Sequence, residues 1–176
     1  RASDAYTNTE DPAFSELASR ERRWQNDALL RLEVAPARGL LYGVDAQHTL
    51  HKYLSPTLAA LLNRQEALVG GDLGFLLQPK TRVYAAYHFR RIHYTGGRQA
   101  DSRSQTADLG IDGTFTPLLS GRVQSGVVTR RYDALAGSTI RAVTLWQASA
   151  RLAYKVQRAG ELAVTAYRSI NEATFG

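Results

Sequence analysis

A short turn recurs at near-regular intervals along this chain, each time between two long runs in which apolar and polar side chains alternate. It appears as Val34-Ala35-Pro36-Ala37-Arg38-Gly39, as Leu77-Gln78-Pro79-Lys80-Thr81-Arg82 and as Phe115-Thr116-Pro117-Leu118. A copy without proline follows at Val156-Gln157-Arg158-Ala159-Gly160. The prolines stand 43 and 38 residues apart, and Arg158 comes 41 residues after Pro117. Alternation with a period of two puts successive side chains on opposite faces of a strand, so each turn closes a β-hairpin. A propeller blade has a similar period but fits four short strands into ~40 residues. Here each repeat holds two long strands, one tight turn and one long polar loop, which is the pattern of a membrane β-barrel.

The two faces can be read strand by strand. Before the first turn, Ala28, Leu30, Leu32 and Val34 oppose Gln25, Asp27, Arg31 and Glu33. After it, Leu40, Tyr42, Val44 and Ala46 oppose Gly43, Asp45, Gln47 and Thr49. The next hairpin sets Val69, Leu73 and Phe75 against Gly70 and Asp72, then Val83, Ala85, Tyr87 and Phe89 against Tyr84, Ala86, His88 and Arg90. The fifth run is the cleanest, with Ala107, Leu109, Ile111, Gly113 and Phe115 against Thr106, Asp108, Gly110, Asp112 and Thr114. Val123, Ser125 and Val127 oppose Arg122, Gln124 and Arg130, and Ala142 to Tyr154 alternate with Gln147, Ser149 and Arg151. Leu162, Val164 and Ala166 close the series. This gives eight strands of about eleven to fourteen residues, against ~5–6 for an ordinary strand and ~9–11 for a tilted one crossing a bilayer. Residues 1–23 read as a polar loop or linker, with a short helical turn near Phe14 to Arg20, and residues 24–176 as four hairpins. Leu54 to Asn63, Thr95 to Gln105 and Asp133 to Ser138 read as loops. Aromatic residues collect near strand ends: Tyr42, Phe75, Tyr84, Phe115 and Tyr154 toward the short turns, Trp24, Tyr53, Tyr94 and Tyr132 toward the long loops. Those are the positions of interfacial girdles.

The fold class read from this pattern is an all-β, transmembrane, antiparallel up-and-down barrel, or a large part of one. A soluble two-sheet sandwich would also alternate. Against it stand the strand length and an apolar face rich in Ala and Gly. No run approaches the ~18 uncharged apolar residues of a transmembrane helix, and the mean hydropathy is −0.31. Neither fact speaks against a barrel, whose strands are half polar. The 176 residues contain no Cys and no Met and begin at Arg1, so the sequence reads as a processed chain or an internal section of a longer one. A formal charge of +6 comes mostly from arginines spread along the chain, and no nucleic-acid recognition motif accompanies it.

Candidate chemistry is sparse. His48 and His51 fall on opposite faces of a strand, as do His88 and His93, so neither pair converges on a metal. Asp108 and Asp112 share a face but lie ~13 Å apart at ~3.3 Å per residue, too far for paired carboxylates in glycoside hydrolysis. No nucleophile-elbow pattern is present. The expectation is therefore no enzyme, no cofactor and no metal. The constellation that remains is the polar face: Asp27, Arg31, Glu33, Asp45, Gln47, Asp72, His88, Arg90, Asp108, Asp112, Arg122, Gln124, Arg130, Gln147 and Arg151. Its two signs are interleaved. It reads either as a wet pore wall suited to polar solutes, sugars included, or as an interior satisfied by Arg–carboxylate pairs between strands. The two are compatible.

Several stretches resemble one family. They are Phe115-Thr116-Pro117-Leu118-Leu119-Ser120-Gly121-Arg122-Val123 with Arg130-Arg131-Tyr132-Asp133, and Leu76-Leu77-Gln78-Pro79-Lys80-Thr81-Arg82-Val83 with Phe89-Arg90-Arg91-Ile92-His93-Tyr94. The closing Tyr167-Arg168-Ser169-Ile170-Asn171-Glu172-Ala173-Thr174-Phe175-Gly176 fits too. From Trp24 onward the chain resembles the outer-membrane β-barrel porins found with exopolysaccharide and capsule export systems of Gram-negative bacteria. The resemblance implies an outer-membrane location and a passive conduit for a secreted polysaccharide. Implied partners are outer-membrane lipids, lipopolysaccharide, the polysaccharide and periplasmic export components, with no nucleic acid. A general diffusion porin and a structural or adhesin barrel with a filled lumen remain open as alternatives.

Overall fold

The computed structural model of the chain describes residues 2–9, 23–37, 39–96, 99–133, 142–156 and 160–168. Nine strands and one short helix follow in order: β1 (Ala2–Thr9), β2 (Arg23–Ala37), β3 (Leu40–Tyr53), α1 (Pro56–Leu62), β4 (Arg64–Gln78), β5 (Thr81–Tyr94), β6 (Ser102–Thr114), β7 (Leu119–Tyr132), β8 (Ala142–Val156) and β9 (Gly160–Arg168). All nine form one antiparallel sheet in chain order. β1 and β9 are its edges among the described residues, and the sheet does not close on itself.

The hairpins are tight where the repeat places its turns. The first turns at Gly39, whose φ of 83° lies in the left-handed region that favours glycine. Register shifts sit beside two turns, between Val34 and Ala37 and between Leu76 and Gln78. Such bulges end a ladder and increase its twist. At the third turn the Leu119 N–H donates to Thr116 Oγ1 at 3.0 Å and the Phe115 N–H to the Leu119 carbonyl at 2.8 Å. Of the proline-free fourth turn, Gln157 to Ala159 lie outside the described residues.

Three expectations need correction. Residues 1–23 are not simply a polar loop. Ala2–Thr9 is β1, in register with β2 from Ala2 opposite Leu30 to Thr9 opposite Arg23, and Arg23 already belongs to β2. Its weak apolar pattern hid it, because backbone pairing to β2 and not side-chain burial defines it. The suggested turn at Phe14 to Arg20 lies outside the described residues. Second, the segment read as a loop at Leu54 to Asn63 contains α1. Pro56 at the first helical position fits a helix start, and the Leu-Ala-Ala-Leu-Leu run that follows has high helix propensity. Asn63 anchors the helix: its Oδ1 accepts from the Tyr53 N–H at 2.7 Å and its carbonyl from the Thr95 N–H at 2.9 Å.

The third correction concerns the aromatics. Tyr42, Phe75 and Tyr154 are exposed on the apolar face, as a girdle requires. Tyr53, Tyr84 and Tyr94 are buried on the opposite, polar side of their strands. Their strand parity, not their nearness to a strand end, decides the face. At the long-loop end the apolar face therefore carries Trp24, with Lys52 Nζ stacked 5.1 Å from its ring, and a row of basic side chains.

Burial is inverted relative to a soluble sheet. Leu109 is 69% exposed while its neighbour Asp108 is 9% exposed, and the same contrast separates Val44 from Asp45. Leu32, Val34, Val69, Leu73, Phe75, Val127 and Val164 are also exposed on the apolar face. No second layer covers that face among the described residues. In a soluble sandwich these side chains would be the core.

Candidate functional site on the polar face

All fifteen residues expected on the polar face do share one face of the sheet. Their registers place them in adjoining rows, for example Arg31 opposite Asp45, Asp112 between Arg82 and Arg122, and Arg90 opposite Ser104. An ion-pair ladder of alternating sign runs across β2 to β7. Arg31 holds Asp72 at 2.7 Å and Asp45 and Glu33 at 3.4 Å each. Arg82 lies 3.5 Å from Asp72, 3.6 Å from Glu33 and 2.9 Å from Asp112. Arg122 completes the ladder on Asp112 at 2.8 Å. The Tyr84 ring lies beneath the guanidinium groups of Arg82 and Arg122, 5.4 and 5.6 Å away.

Several of these bonds skip a strand, and a glycine sits under each. Gly43 lies between β2 and β4 beneath Arg31–Asp72. Gly70 separates Asp45 from His88, whose Nε2 is 3.3 Å from the carboxylate. Gly110 separates Tyr84 from Gln124, to which the phenol donates at 2.8 Å. Gly126 separates Asp108 from Gln147, whose amide donates to the carboxylate at 2.8 Å. A Cβ at any of the four would collide with one member of the bridging pair. The glycines thus serve as gaps through which side chains two strands apart meet.

Nearer the long loops the face changes character. Glu66 gathers Arg64 at 2.9 Å, His51 at 3.3 Å and Arg90 at 3.8 Å. Asp27 accepts from Thr49 and Gln25 at 2.7 Å each. Between the ladder and this cluster lies a recess of about 430 Å³ lined by Gln47, His88, Arg90, Asp108, Gln124, Arg130 and Gln147 among others. Arg130 is buried opposite Ser104. Arg151 stands apart: it faces Arg122 across the ladder and makes no ion pair among the described residues.

Sequence reasoning missed the hub. Arg82 reads as part of the turn, yet it is the second residue of β5 and shares parity with Tyr84 and His88. Glu66, Arg64 and His51 were missed in the same way, at strand ends where alternation is short. The face is not uniformly polar either, since Leu29, Leu68, Val128 and Ile92 also point to it. Among the described residues no three His or carboxylate side chains are grouped to hold a metal.

The family model described as putative beta-barrel porin 2 matches residues 57–176. That covers β4 to β9 and most of the ladder. No curated protein and no solved structure matches the chain.

Proposed function

The chain belongs to the β-barrel porin family whose model matches residues 57–176, and from that premise we propose that it forms part of the wall of an outer-membrane conduit for a secreted polysaccharide. The observation that carries the channel reading is the inverted burial: a covered, charged face on one side and an exposed apolar face on the other. Lipid is the solvent in which exposed Leu109, Val44 and Phe75 are favourable, and water or a polar solute is the one suited to Arg31, Asp72 and Arg82. Nine strands already exceed the eight whose barrel interior is filled by side chains, and β1 and β9 stay apart. A ring joining them is wider and leaves room for a lumen.

The polysaccharide reading rests on the resemblance of the hairpin motifs and on the chemistry of the face. Interleaved Arg and carboxylate groups cancel over short distances, so a neutral or weakly anionic polymer meets no single-sign barrier. Gln47, Gln124, Gln147, Thr49 and Thr106 offer the hydrogen bonds that replace water around sugar hydroxyls. Passage is passive in this scheme, with export driven from elsewhere in the assembly. The test is reconstitution of the full-length protein into planar bilayers and into vesicles loaded with a labelled polysaccharide. Stepwise conductance with release of the polymer supports the proposal. Conductance with the polymer retained indicates a diffusion porin, and no conductance indicates a filled barrel; either result overturns it.

A further inference from the structure

At its long-loop end the apolar face carries a row of three arginines on neighbouring strands. Arg91, Arg103 and Arg131 stand on adjacent strands β5, β6 and β7 and are direct cross-strand neighbours in the register. All three are exposed on the side that also bears Leu109 and Val123. Neighbouring strands are ~4.8 Å apart, so three guanidinium groups share a row only ~10 Å wide. Like charges directly opposite one another on a sheet repel. The compensation at hand is small. Asp133 lies 4.0 Å from Arg103, with both side chains over half exposed. Asp101, the other nearby carboxylate, is held by the His93 ring at 2.5 Å and by the Tyr94 N–H at 2.9 Å, and attracts Arg91 only at longer range. Neither Arg91 nor Arg131 forms an ion pair among the described residues.

The depth order below the row is that of an amphiphile. One register step toward the short turns, β6 and β7 present Gln105 and Thr129, which are cross-strand partners. The following steps present Ala107 with Val127, Leu109 with Ser125, and Ile111 with Val123. The sequence charge, hydrogen-bonding group, apolar wall repeats the headgroup, linker and acyl chains of a membrane lipid. At the depth of the arginines, Ala67 on β4 and Ala142 on β8 flank the row directly, with His48 on β3 and Ala28 on β2 beyond Ala67.

Resting on the membrane-barrel reading above, we propose that Arg91, Arg103 and Arg131 form a docking site for the phosphorylated headgroup of one membrane lipid in the leaflet on the long-loop side. Guanidinium groups bind phosphate oxygens by paired, charge-assisted hydrogen bonds, and three of them in a row match a headgroup carrying more than one phosphate. The acyl chains then lie along the β6–β7 apolar wall.

The test uses the full-length protein and a variant with Arg91→Gln, Arg103→Gln and Arg131→Gln. Both are first inserted into neutral phosphatidylcholine vesicles and checked for protease protection. If neither inserts, the barrel reading fails and the lipid site with it. If both insert, native mass spectrometry in micelles follows retention of diphosphoryl lipid A against its dephosphorylated form, with inorganic phosphate as competitor. The site predicts one retained diphosphoryl lipid per chain and about tenfold or more weaker retention by the triple variant. It also predicts weaker retention of the dephosphorylated lipid and no displacement by millimolar phosphate. Equal retention by the two proteins, or displacement by phosphate alone, overturns the lipid site while leaving the barrel reading intact.

Discussion

The Arg31 guanidinium passes over Gly43 to reach the Asp72 carboxylate at 2.7 Å, joining β2 to β4 across the intervening strand. The bond exists because Gly43 has no side chain: a Cβ there would fall against both partners. Gly43→Val is therefore expected to separate the pair and to lower the unfolding free energy by about 1–3 kcal/mol, discounted for the partly exposed Arg31. Urea unfolding of the refolded protein in micelles measures this. Gly74→Ala, two residues beyond Asp72 along β4, meets only ordinary van der Waals contacts and should leave the Arg31–Asp72 contact in place.

Arg82 shares three carboxylates, but each of them has another arginine: Asp72 and Glu33 keep Arg31, and Asp112 keeps Arg122. Arg82→Gln should accordingly fold and insert. It removes one positive charge from the polar face, so the zero-current potential in a salt gradient should move toward cation selectivity, with a permeability ratio changed about twofold. A shift toward anions would contradict the placement of Arg82 in the conduit.

Leu109 and Asp108 are sequence neighbours with opposite surroundings. Leu109→Arg places a charge on the lipid face and should cost ~2–4 kcal/mol of insertion near the midplane. Asp108→Asn keeps an acceptor for Gln147 and should leave folding nearly intact. Folded fractions in vesicles compare the two, and the reverse order would mean the faces are exchanged.

The loop between β5 and β6 should respond to acid. Burial alone would raise the Asp101 carboxyl, but hydrogen bonds from His93 and the Tyr94 N–H outweigh it and hold the group below its usual value of 3.8. A carboxyl lowered in the folded state stabilises above its unfolded value and loses that contribution as pH falls through its folded one. The protection of the Tyr94 amide from hydrogen exchange, referred to its intrinsic rate at each pH, should therefore stay high at neutral pH and fall in acid below about pH 4. Asp101→Ala, which leaves the Tyr94 N–H without its side-chain acceptor, should show low protection throughout, with no acid step of its own.

Much of this was legible in the sequence because alternation is a local signal. Asp108 and Leu109 need only their neighbours to be assigned to faces, and every polar-face residue from Asp27 to Arg151 followed from parity. Parity also explains the errors. Tyr53 and Tyr94 lie at the ends of strands, where position suggested a girdle and the register turned them to the polar side. β1 was missed because an edge strand is defined by its backbone ladder to β2, which leaves a faint side-chain pattern. Strand-skipping bonds such as Arg31–Asp72 and Tyr84–Gln124 depend on which strands are neighbours, so only the register could reveal the glycine gaps.

The account turns on which face of the sheet meets water. The chain contains no cysteine, so single cysteines can be placed along β6 at positions 106 to 112 and the inserted protein treated with a charged, membrane-impermeant maleimide. The account predicts labelling at 106, 108 and 112 and none at 107, 109 and 111; position 110 stays glycine, because a Cβ there meets Tyr84. Labelling of the odd positions, or protection of both sets, would contradict it.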